Sequence, residues 1–462
     1  MMCVINRKKD ILEYVKELKR SYGSVVKLWF GHKLIVVLTN PRDIQIIFNS
    51  SKTLSKPAVY NPASLVFGKS LLTTSTVEWN KFRRILNPSF AHHVIDNYVS
   101  IFCQKSQMMA DRLEEHSNKE PIRIIDYTKL CTLDMVTETS LGVPADVQKE
   151  DQKHCIIKSS SNLFRVLFKF FIKPWFWFIP LAKTTQTYTK VVELVKPIHD
   201  YIDSIVSEKT RLYFDSLREC RQIKTVAKNR SCLLEHMVTT MVNNPGLFTA
   251  EELRNQALFI MFAGTDTTAL ATTYVLMLMG LHPDVQTKVV REQQDIFGED
   301  VHRPVTARDL KQMVYLDQVI SETLRLYPVA PLVARRADED VRISEYILPA
   351  GTTIIIPIYI VHRDPAFYPD PDKFNPERFN NQGNVDRHLC SFIPFLAGRR
   401  MCLGKRYACV ALKTMLSVLL RRYEVLECGS TASMECVQFE YLLKMVNGYN
   451  IKLVPRKKNC ES

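Results

Sequence analysis

Long apolar runs are missing from the two parts of this 462-residue chain where a membrane span would be expected. Residues 1–20 carry a charge every few positions, whereas a transmembrane helix needs about 20 consecutive apolar residues. Residues 162–182 are the most apolar and aromatic stretch, but lysines and prolines interrupt it. We therefore expect neither stretch to span a bilayer. The second is expected to form either a buried core helix or a segment that dips into a membrane surface, where mixed aromatic and lysine side chains are favoured.

Several classes of motif are also missing. The twelve cysteines show no paired short spacings, no zinc-binding pattern is present, and no secretory signal peptide is recognisable. We therefore expect reduced thiols that face a cytosolic environment. No glycine-rich dinucleotide fingerprint follows a predicted strand, so we do not expect the chain to bind a dinucleotide through that motif. Internal repeats and low-complexity segments are absent as well.

The composition that remains is globular, with a basic surplus. Hydrophobic residues make up 46% and charged residues 24% of the chain, which excludes a disordered protein and a polytopic membrane protein. The formal net charge of +14 predicts an acidic partner surface, which could belong to a protein, an anionic lipid or a nucleic acid. The length exceeds the roughly 150 residues that are usual for one domain.

A ten-residue motif near the C-terminus carries the clearest chemical signal. It has the pattern F-x-x-G-x-R-x-C-x-G and consists of Phe395, Gly398, Arg400, Cys402 and Gly404. Five fixed positions would match by chance in about 1 of 10⁴ chains or fewer. Apolar residues at helical spacing predict a helix over residues 403–420, and the free N–H groups at its start would stabilise a thiolate at Cys402.

These residue types together predict a haem site. Cys402 would supply an axial thiolate, which pushes electron density onto haem iron and favours O–O cleavage. Phe395 would shield the sulfur from water, and Arg400 would pair with a haem propionate. Gly398 permits a tight turn, while Gly404 leaves room for close approach of the porphyrin. The alternative is a buried structural cysteine beside an ordinary turn.

With this motif the chain resembles the cytochrome P450 family, from about residue 22 to about residue 455. The resemblance implies a mainly α protein with the cytochrome P450 fold, in which a large helical unit is accompanied by a small β-rich lobe. It also implies a single cytochrome P450 domain over residues 1–462. The N-terminal membrane anchor that microsomal members usually carry is expected to be absent from this sequence.

Three further residues are predicted to bind the haem. Trp79 and Arg83 stand four positions apart on a predicted helix, so both can donate to a propionate from one helix face. The alternative is an amphipathic helix with a surface arginine. The resemblance assigns Arg335 to a propionate as well, and it places residues 331–335 on a strand that touches substrate.

A long apolar helix is predicted for residues 249–281, and a Thr-x-x-Glu capping box opens it. In its middle, Asp266 and Thr267 place an acid beside an alcohol, which is costly in an apolar helix unless both groups are used or satisfied. The resemblance makes these two residues catalytic, as the pair that delivers protons for O–O cleavage. The alternative is local, because Thr267 can donate back to the carbonyl oxygen of Ala263.

Other patterns predict structure. Glu322 and Arg325 close a predicted helix, and the resemblance implies that they lock together with Arg378 behind the haem. The remaining predictions are an amphipathic helix at residues 11–20, a hairpin at 24–38, loops at 61–75 and 223–231, strands within 342–361 and a hairpin at 438–444.

The resemblance predicts a haem-thiolate monooxygenase that inserts one oxygen atom of O₂ into an apolar substrate, such as a fatty acid, a hormone-like lipid or a xenobiotic. NADPH-cytochrome P450 reductase would supply the electrons. The membrane surface on the cytosolic face of the endoplasmic reticulum is the expected location, and nucleic acid is not an expected partner. The chain looks most like microsomal fatty-acid ω-hydroxylases and their insect relatives. The alternatives are a P450 isomerase or dehydratase that rearranges peroxides, and a haem-binding protein without turnover.

Basic residues around these motifs are predicted to dock the reductase. They are Lys81, Arg84, Arg399, Lys405, Arg406 and Lys413. An acidic reductase surface would gain association rate from complementary charge. The alternative is an ordinary solvated basic face.

Overall fold

The protein is mainly α-helical, as the sequence predicts. The computed structural model describes residues 11–149, 155–171, 173–219, 232–380, 387–428, 434 and 436–456. The α-helices of this part are, in chain order, α1 Ile11–Tyr22, α2 Pro41–Asn49, α3 Ser64–Phe67, α4 Thr76–Leu86, α5 His92–Asp96, α6 Val99–Glu114, α7 Ile124–Val136, α8 Cys155–Phe171, α9 Ile179–Ala182, α10 Gln186–Glu219, α11 Leu233–Asn243, α12 Ala250–Leu281, α13 Pro283–Phe297, α14 Asp309–Gln312, α15 Val314–Leu326, α16 Ile358–Val361 and α17 Lys405–Arg422.

The strands are short and form small sheets. They are β1 Val25–Phe30, β2 Lys33–Leu38, β3 Ile122–Arg123, β4 Val333–Arg336, β5 Val341–Arg342, β6 Ile347–Leu348, β7 Thr353–Ile356, β8 Tyr423–Leu426, β9 Val437–Glu440, β10 Leu442–Met445 and β11 Asn450–Pro455. The largest sheet has the order β1-β2-β7-β4, and the smaller sheets have the orders β3-β11-β8, β5-β6 and β9-β10.

The chain divides into two compact units. The first unit consists of Met1–Pro57, Tyr315–Cys402 and Gly429–Gly448, and the second of Ala58–Val314, Leu403–Cys428 and Tyr449–Ser462. Within the described residues, the first unit contains the four-stranded sheet, and the second contains the long helices α10 and α12. A helical part and a β-rich part are therefore both present, and the single domain over the whole chain stays a prediction.

The first unit is built around its four-stranded sheet. Strands β1 and β2 pair antiparallel across a turn at Gly31, which confirms the predicted hairpin, and α1 confirms the helix predicted at residues 11–20. Strand β7 lies between β2 and β4, parallel to the first and antiparallel to the second. The core of this unit joins the sheet to α2 through Val36, Phe48 and Ile354.

Residues 342–361 form strands only in part. Strands β5, β6 and β7 confirm the prediction as far as Ile356, but the prediction is wrong for α16. Pro357 has no N–H group to continue the sheet ladder, and it occupies the N-cap position of α16 instead. Further along the chain, β9 and β10 confirm the hairpin predicted at residues 438–444, with Tyr441 in the turn at φ +69°.

The second unit contains the predicted long helix as α12. The Thr249 hydroxyl accepts from the N–H of Glu252 at 3.1 Å, and the Glu252 carboxylate accepts from the N–H of Thr249 at 3.0 Å. This reciprocal pair is the predicted capping box. Helix α7 packs closely against α12, because a Cβ added at Gly264 would lie 2.7 Å from a methyl group of Val136. Gly264 thus has a packing reason that outweighs its poor helix propensity.

Two segments of the second unit match their predicted structures only in part. Residues 61–75 are a loop only in part, since they include α3 and the second half of a 3₁₀ turn at Ala58–Ala63. The aromatic stretch at 162–182 includes the end of α8, a 3₁₀ turn at Pro174–Trp177, and α9. The loop predicted at 223–231 lies outside the described residues.

The aromatic stretch has both buried and exposed side chains, so a buried core helix describes only part of it, and contact with a membrane surface stays a prediction. Leu167 and Phe170 of α8 are buried, whereas Phe178 and Leu181 are 65% and 46% exposed. No helix among the described residues combines the length and the apolar character needed to cross a bilayer.

Candidate active site

Cys402 lies in a loop that its own backbone closes. The N–H of Cys402 donates to the carbonyl oxygen of Phe395 at 2.9 Å, and the N–H of Met401 donates to the carbonyl oxygen of Gly398 at 3.1 Å. The Cys402 side chain is exposed, and Phe395 is half-buried. Helix α17 begins three residues after Cys402, which confirms the predicted helix with a start two residues later than expected. The loop can therefore present a sulfur atom to a ligand.

Gly398 is required at its position for two reasons. Its φ is +69°, which other residues rarely adopt, and an added Cβ would lie 2.1 Å from the carbonyl oxygen of Phe48 at the end of α2. Leu396 and Ala397 pack against the core that includes Phe48. The tight turn expected at Gly398 is present, and it fixes the Cys402 loop on α2.

Two residues of the first unit that are predicted to pair with the haem propionates are buried arginines. Arg335 of β4 is 1% exposed and Arg400 is 7% exposed. The Arg335 guanidinium lies over the Phe48 ring at 5.4 Å and donates to the carbonyl oxygen of Ala334 at 3.1 Å. Burial of a guanidinium is costly unless an anion or several acceptors are close by. The carboxylates of a haem have the charge that such a pair of arginines suits.

Trp79 and Arg83 of the second unit lie one turn apart on α4, as predicted. The Ser75 hydroxyl accepts from the N–H of Glu78, and the Glu78 carboxylate accepts from the N–H of Ser75, so a capping box begins the helix. Trp79 is buried and Arg83 is half-buried. Both side chains can donate from one helix face, and their role toward a propionate stays a prediction.

Gly404 is open on the side where a side chain would project. A Cβ added there would meet no protein atom within 4 Å, and its φ is in the ordinary negative region. The protein itself does not require glycine at this position. Space beside the backbone at Gly404, the residue immediately before α17, fits the expected close approach of a porphyrin.

Asp266 is held by a lysine that the sequence analysis missed. The Asp266 carboxylate lies 2.6 Å from Nζ of Lys129 on α7; the Asp266 side chain is buried, and that of Lys129 is 12% exposed. The signal was a single lysine within a helix whose other residues are mostly apolar, because such a cation needs an anionic partner. Pairing with a distant helix cannot be deduced from that signal alone.

Thr267 makes the local bond that was the alternative to a catalytic role. Its hydroxyl donates to the carbonyl oxygen of Ala263 at 2.6 Å. The hydroxyl oxygen still has lone pairs that can accept from another donor. Phe259, Ala263 and Thr267 are half-exposed at a spacing of four on a helix whose other central residues are mostly buried. This stripe is the more exposed face of the middle of α12.

The predicted cluster of Glu322, Arg325 and Arg378 is confirmed. The Arg325 guanidinium donates to both carboxylate oxygens of Glu322, at 2.6 and 2.8 Å, and Nε of Arg378 lies 3.5 Å from the same carboxylate. Arg325 also donates to the carbonyl oxygen of His362 at 3.1 Å. Glu322 and Arg325 are fully buried, so this cluster fixes α15 against the segment that leads to the Cys402 loop.

The predicted basic docking residues differ in environment. Lys413 is 8% exposed and donates to the carbonyl oxygen of Leu310 at 2.9 Å, so its assignment to a docking surface is wrong. Arg406 pairs with Asp96 at 2.9 Å, and Lys81 with Glu252 at 3.3 Å. The exposed members of the predicted set are Arg84, Arg399 and Lys405.

Comparison with known proteins gives one consistent answer. The family model described as Cytochrome P450 matches residues 1–452. Cytochrome P450 4d2 of Drosophila melanogaster is 32% identical over 97% of this chain and 90% of its own length. Cytochrome P450 4V2 of Homo sapiens is 31% identical over 97% of this chain and 85% of its own length. Cytochrome P450 4g1 of Drosophila melanogaster is 32% identical over 94% of this chain and 83% of its own length.

Proposed function

Since the chain belongs to the cytochrome P450 family, we propose that it oxidises an apolar lipid or xenobiotic with electrons from NADPH-cytochrome P450 reductase. Family membership makes it a haem-thiolate monooxygenase, which uses O₂, a small-molecule substrate and a redox partner. Family membership alone does not fix the class of substrate, the identity of the redox partner or the residues that carry out each role, and these are what we propose.

The chain offers a sulfur ligand and several hydrogen-bond donors for the haem. Cys402 would supply the thiolate ligand, and Phe395 would limit access of water to the sulfur. Arg335, Arg400, Trp79 and Arg83 would be donors to the propionates, and Gly404 would leave room for the ring. When bound, the haem supplies the one-electron redox chemistry through which O₂ is activated.

An apolar stripe on α12 is the observation that carries the choice of substrate. The Phe67 ring contacts the rings of Phe259 and Phe262 edge to face, with centroid distances of 5.7 and 5.6 Å. Phe259 begins the half-exposed stripe that continues through Ala263 to Thr267, and none of these residues is charged. A wall of this kind selects a substrate by shape and apolar area. Fatty acids, hormone-like lipids and xenobiotics are the classes that fit.

Asp266 and Thr267 handle protons. The Thr267 hydroxyl donates a hydrogen bond to the carbonyl oxygen of Ala263, so its oxygen acts as an acceptor and orients a water molecule or another donor on the stripe. Asp266 relays the proton: its carboxylate leaves Lys129, takes up a proton from solvent water and passes it to the donor that Thr267 orients. Lys129 thereby holds the acid in reserve until that movement occurs.

The protein works on the cytosolic face of the endoplasmic reticulum, in contact with the membrane surface. Phe178 and Leu181 support this proposal, because both are large, apolar and exposed on the segment that includes α9. Exposed aromatic and aliphatic side chains near lysines suit the interface of a bilayer.

Product formation with added reductase tests the proposed function. We expect product from an apolar substrate only when NADPH, O₂ and reductase are all present. Peroxide rearrangement without reductase would indicate an isomerase or dehydratase instead, and haem binding without either activity would indicate a non-catalytic protein. The ligand assignment has its own test, since Cys402→Ala should abolish haem retention or the red-shifted band of the reduced CO complex. Cys409→Ala in α17 is the matched control and should retain both.

A further inference from the structure

Helix α7 holds two consecutive residues of α12 in different ways. The ammonium group of Lys129 lies 2.6 Å from the carboxylate of Asp266. The Thr132 hydroxyl donates to the backbone carbonyl oxygen of Thr265 at 3.1 Å. Residues three apart lie on the same face of a helix, so both contacts come from one face of α7. The first contact holds the Asp266 side chain, and the second holds the peptide group that leads into Asp266.

The contact between Thr132 and Thr265 lies in a tightly packed part of the interface. Both residues are buried. One turn further along α7, Val136 packs against Gly264, where an added Cβ would lie 2.7 Å from its methyl group. Helices in such close contact leave little room for a water molecule to replace a lost donor. The hydroxyl of Thr132 is thus the group that reaches the Thr265 carbonyl from α7.

The Thr132 hydroxyl also has acceptors in its own helix. The carbonyl oxygens of Thr128 and Lys129 lie 2.9 and 3.2 Å from it. A hydroxyl has one proton, so the proton is shared between these carbonyls and that of Thr265. A purely local bond would affect only α7, by bending it slightly. An effect on α12 is therefore the sign that distinguishes the bond to Thr265 from the local one.

We propose that Thr132 is a positioning residue for the proton relay, because its bond to Thr265 holds the α12 backbone while the Asp266 side chain moves. When the Asp266 carboxylate leaves Lys129, their ion pair no longer ties the two helices together at this turn. The bond to the Thr265 carbonyl does not involve the Asp266 side chain, so it persists through that movement. Asp266 and Thr267 then keep their places on α12. The inference rests on the proposed role of these two residues.

The test compares Thr132→Val with Thr132→Ser and Thr128→Val in the full chain loaded with haem. Valine has the shape of threonine but cannot donate, whereas serine keeps the hydroxyl. Thr128→Val is the matched control, because the Thr128 hydroxyl lies 3.0 Å from that of Thr273. This contact also joins α7 to α12, but Thr273 is about two turns from Asp266.

Amide hydrogen exchange is the first readout, and it does not depend on activity. Mass spectrometry of overlapping peptides follows exchange along α12. Loss of one buried hydrogen bond should favour local opening about fivefold, so Thr132→Val should speed exchange about fivefold at residues 265–269. Thr132→Ser should exchange like the wild type in this segment. Thr128→Val should speed exchange only beyond residue 270.

The ratio of product to NADPH is the second readout. A displaced proton relay is less efficient, so Thr132→Val should lower this ratio about twofold and form more peroxide. The spin shift caused by substrate should be retained, because Thr132 is buried against α12 and is not part of its exposed stripe. Thr132→Ser should restore the ratio, and Thr128→Val should leave it unchanged. A side chain that only supported the fold would not change the ratio.

Unchanged exchange in Thr132→Val would overturn the proposal, and so would faster exchange with the wild-type ratio of product to NADPH. A lower ratio without faster exchange would show that the hydroxyl does not act through the α12 backbone, and it would equally overturn the proposal. If Thr132→Val does not accumulate as a haem protein, Thr132→Ala is measured in its place.

Thr267→Ala separates the failure of this proposal from a wider one. More peroxide from Thr267→Ala, but not from Thr132→Val, would remove only the positioning role of Thr132. A wild-type ratio of product to NADPH in both variants would also reject the proposed proton relay through Thr267.

Discussion

The carboxylate of Asp266 and the ammonium group of Lys129 form an ion pair, 2.6 Å apart, that ties α7 to the middle of α12. The side chains are only 4% and 12% exposed, so water screens the pair weakly and each charge depends on the other. The group that relays protons in the proposed reaction is thus also a structural group. Any loosening of the pair that frees Asp266 for proton delivery must be brief or partial if α7 and α12 are to stay in place.

Lys129→Met should therefore destabilise the fold, because it leaves the Asp266 charge buried without its partner. We expect a loss of about 3 to 5 kcal/mol in the free energy of unfolding, measured by urea titration. Lys209→Met is the control, since the ion pair of Lys209 with Glu235 is more exposed and should contribute less than about 1 kcal/mol. Equal losses in the two variants would contradict a special role for the Lys129 pair.

Thr267→Ala should change the use of electrons without changing substrate binding. Without the Thr267 hydroxyl, the acceptor that orients a proton donor on the stripe is lost, so NADPH consumption should yield more peroxide and less product. The spin shift caused by substrate should be retained. Thr272→Ala removes a comparable bond to the carbonyl oxygen of Thr268 and should leave the ratio of product to NADPH unchanged. The same ratio in wild type and Thr267→Ala would reject the role in proton handling.

Sequence signals were sufficient to predict structure where the interacting residues lie within one segment of the chain. The predicted capping box at Thr249 marks the start of α12, and the spacing of four between Trp79 and Arg83 gives them a common face. The end of β7 was not foreseen although Pro357 marks it. Apolar residues continue past this proline, so the alternation that predicts a strand extends beyond the point where the sheet ladder ends.

The sequence did not show which residues contact each other between different helices. Lys413 has the charge of a docking residue. Its side chain on α17 is buried, however, and its ammonium group donates to the carbonyl oxygen of Leu310. Lys129 is distinguished only by its apolar surroundings, and its partner lies on another helix. Charge can be read from a residue type, whereas burial depends on which elements pack together.

The ion pair of Glu322 with Arg325 should contribute far more to the free energy of unfolding than another pair with the same sequence spacing. Glu322→Ala should cost about 3 to 5 kcal/mol, since it leaves Arg325 buried without its anion. Glu208 and Arg211 have the same Glu-x-x-Arg spacing but are exposed, so Glu208→Ala should leave the free energy of unfolding essentially unchanged. Urea titration of both variants measures the difference. Similar losses would show that spacing, rather than burial, determines the contribution.

Lys405→Glu should slow turnover that depends on reductase. Lys405 is exposed at the start of α17, so reversal of its charge should weaken attraction to an acidic partner and reduce the salt dependence of the rate. Turnover driven by peroxide bypasses the partner and should be nearly unchanged. Lys16→Glu on α1 is the control for reversal of one exposed charge. If both kinds of turnover fell together in Lys405→Glu, the docking role of Lys405 would have to be abandoned.

His362 should make the fold sensitive to acid. It is buried, and its Nε2 accepts from the N–H of Ile393 at 2.8 Å, just before the Cys402 loop. Burial, reinforced by the charge of Arg325, lowers the pKa of His362 to about 3. The unfolded chain binds a proton at this histidine below about pH 6.5, while the folded protein does not, so stability falls as pH decreases from about 6.5 to about 3.

The expected slope is about 1.4 kcal/mol for each pH unit in that window, or about 2 kcal/mol between pH 6.5 and pH 5. His362→Gln supplies an acceptor for Ile393 that does not titrate, and it should lose about 2 kcal/mol less than the wild type over the same interval. Urea titrations at pH 7 and pH 5 measure both losses. Parallel losses in the two proteins would mean that His362 is protonated in the folded state at pH 5, and the buried neutral imidazole would have to be given up.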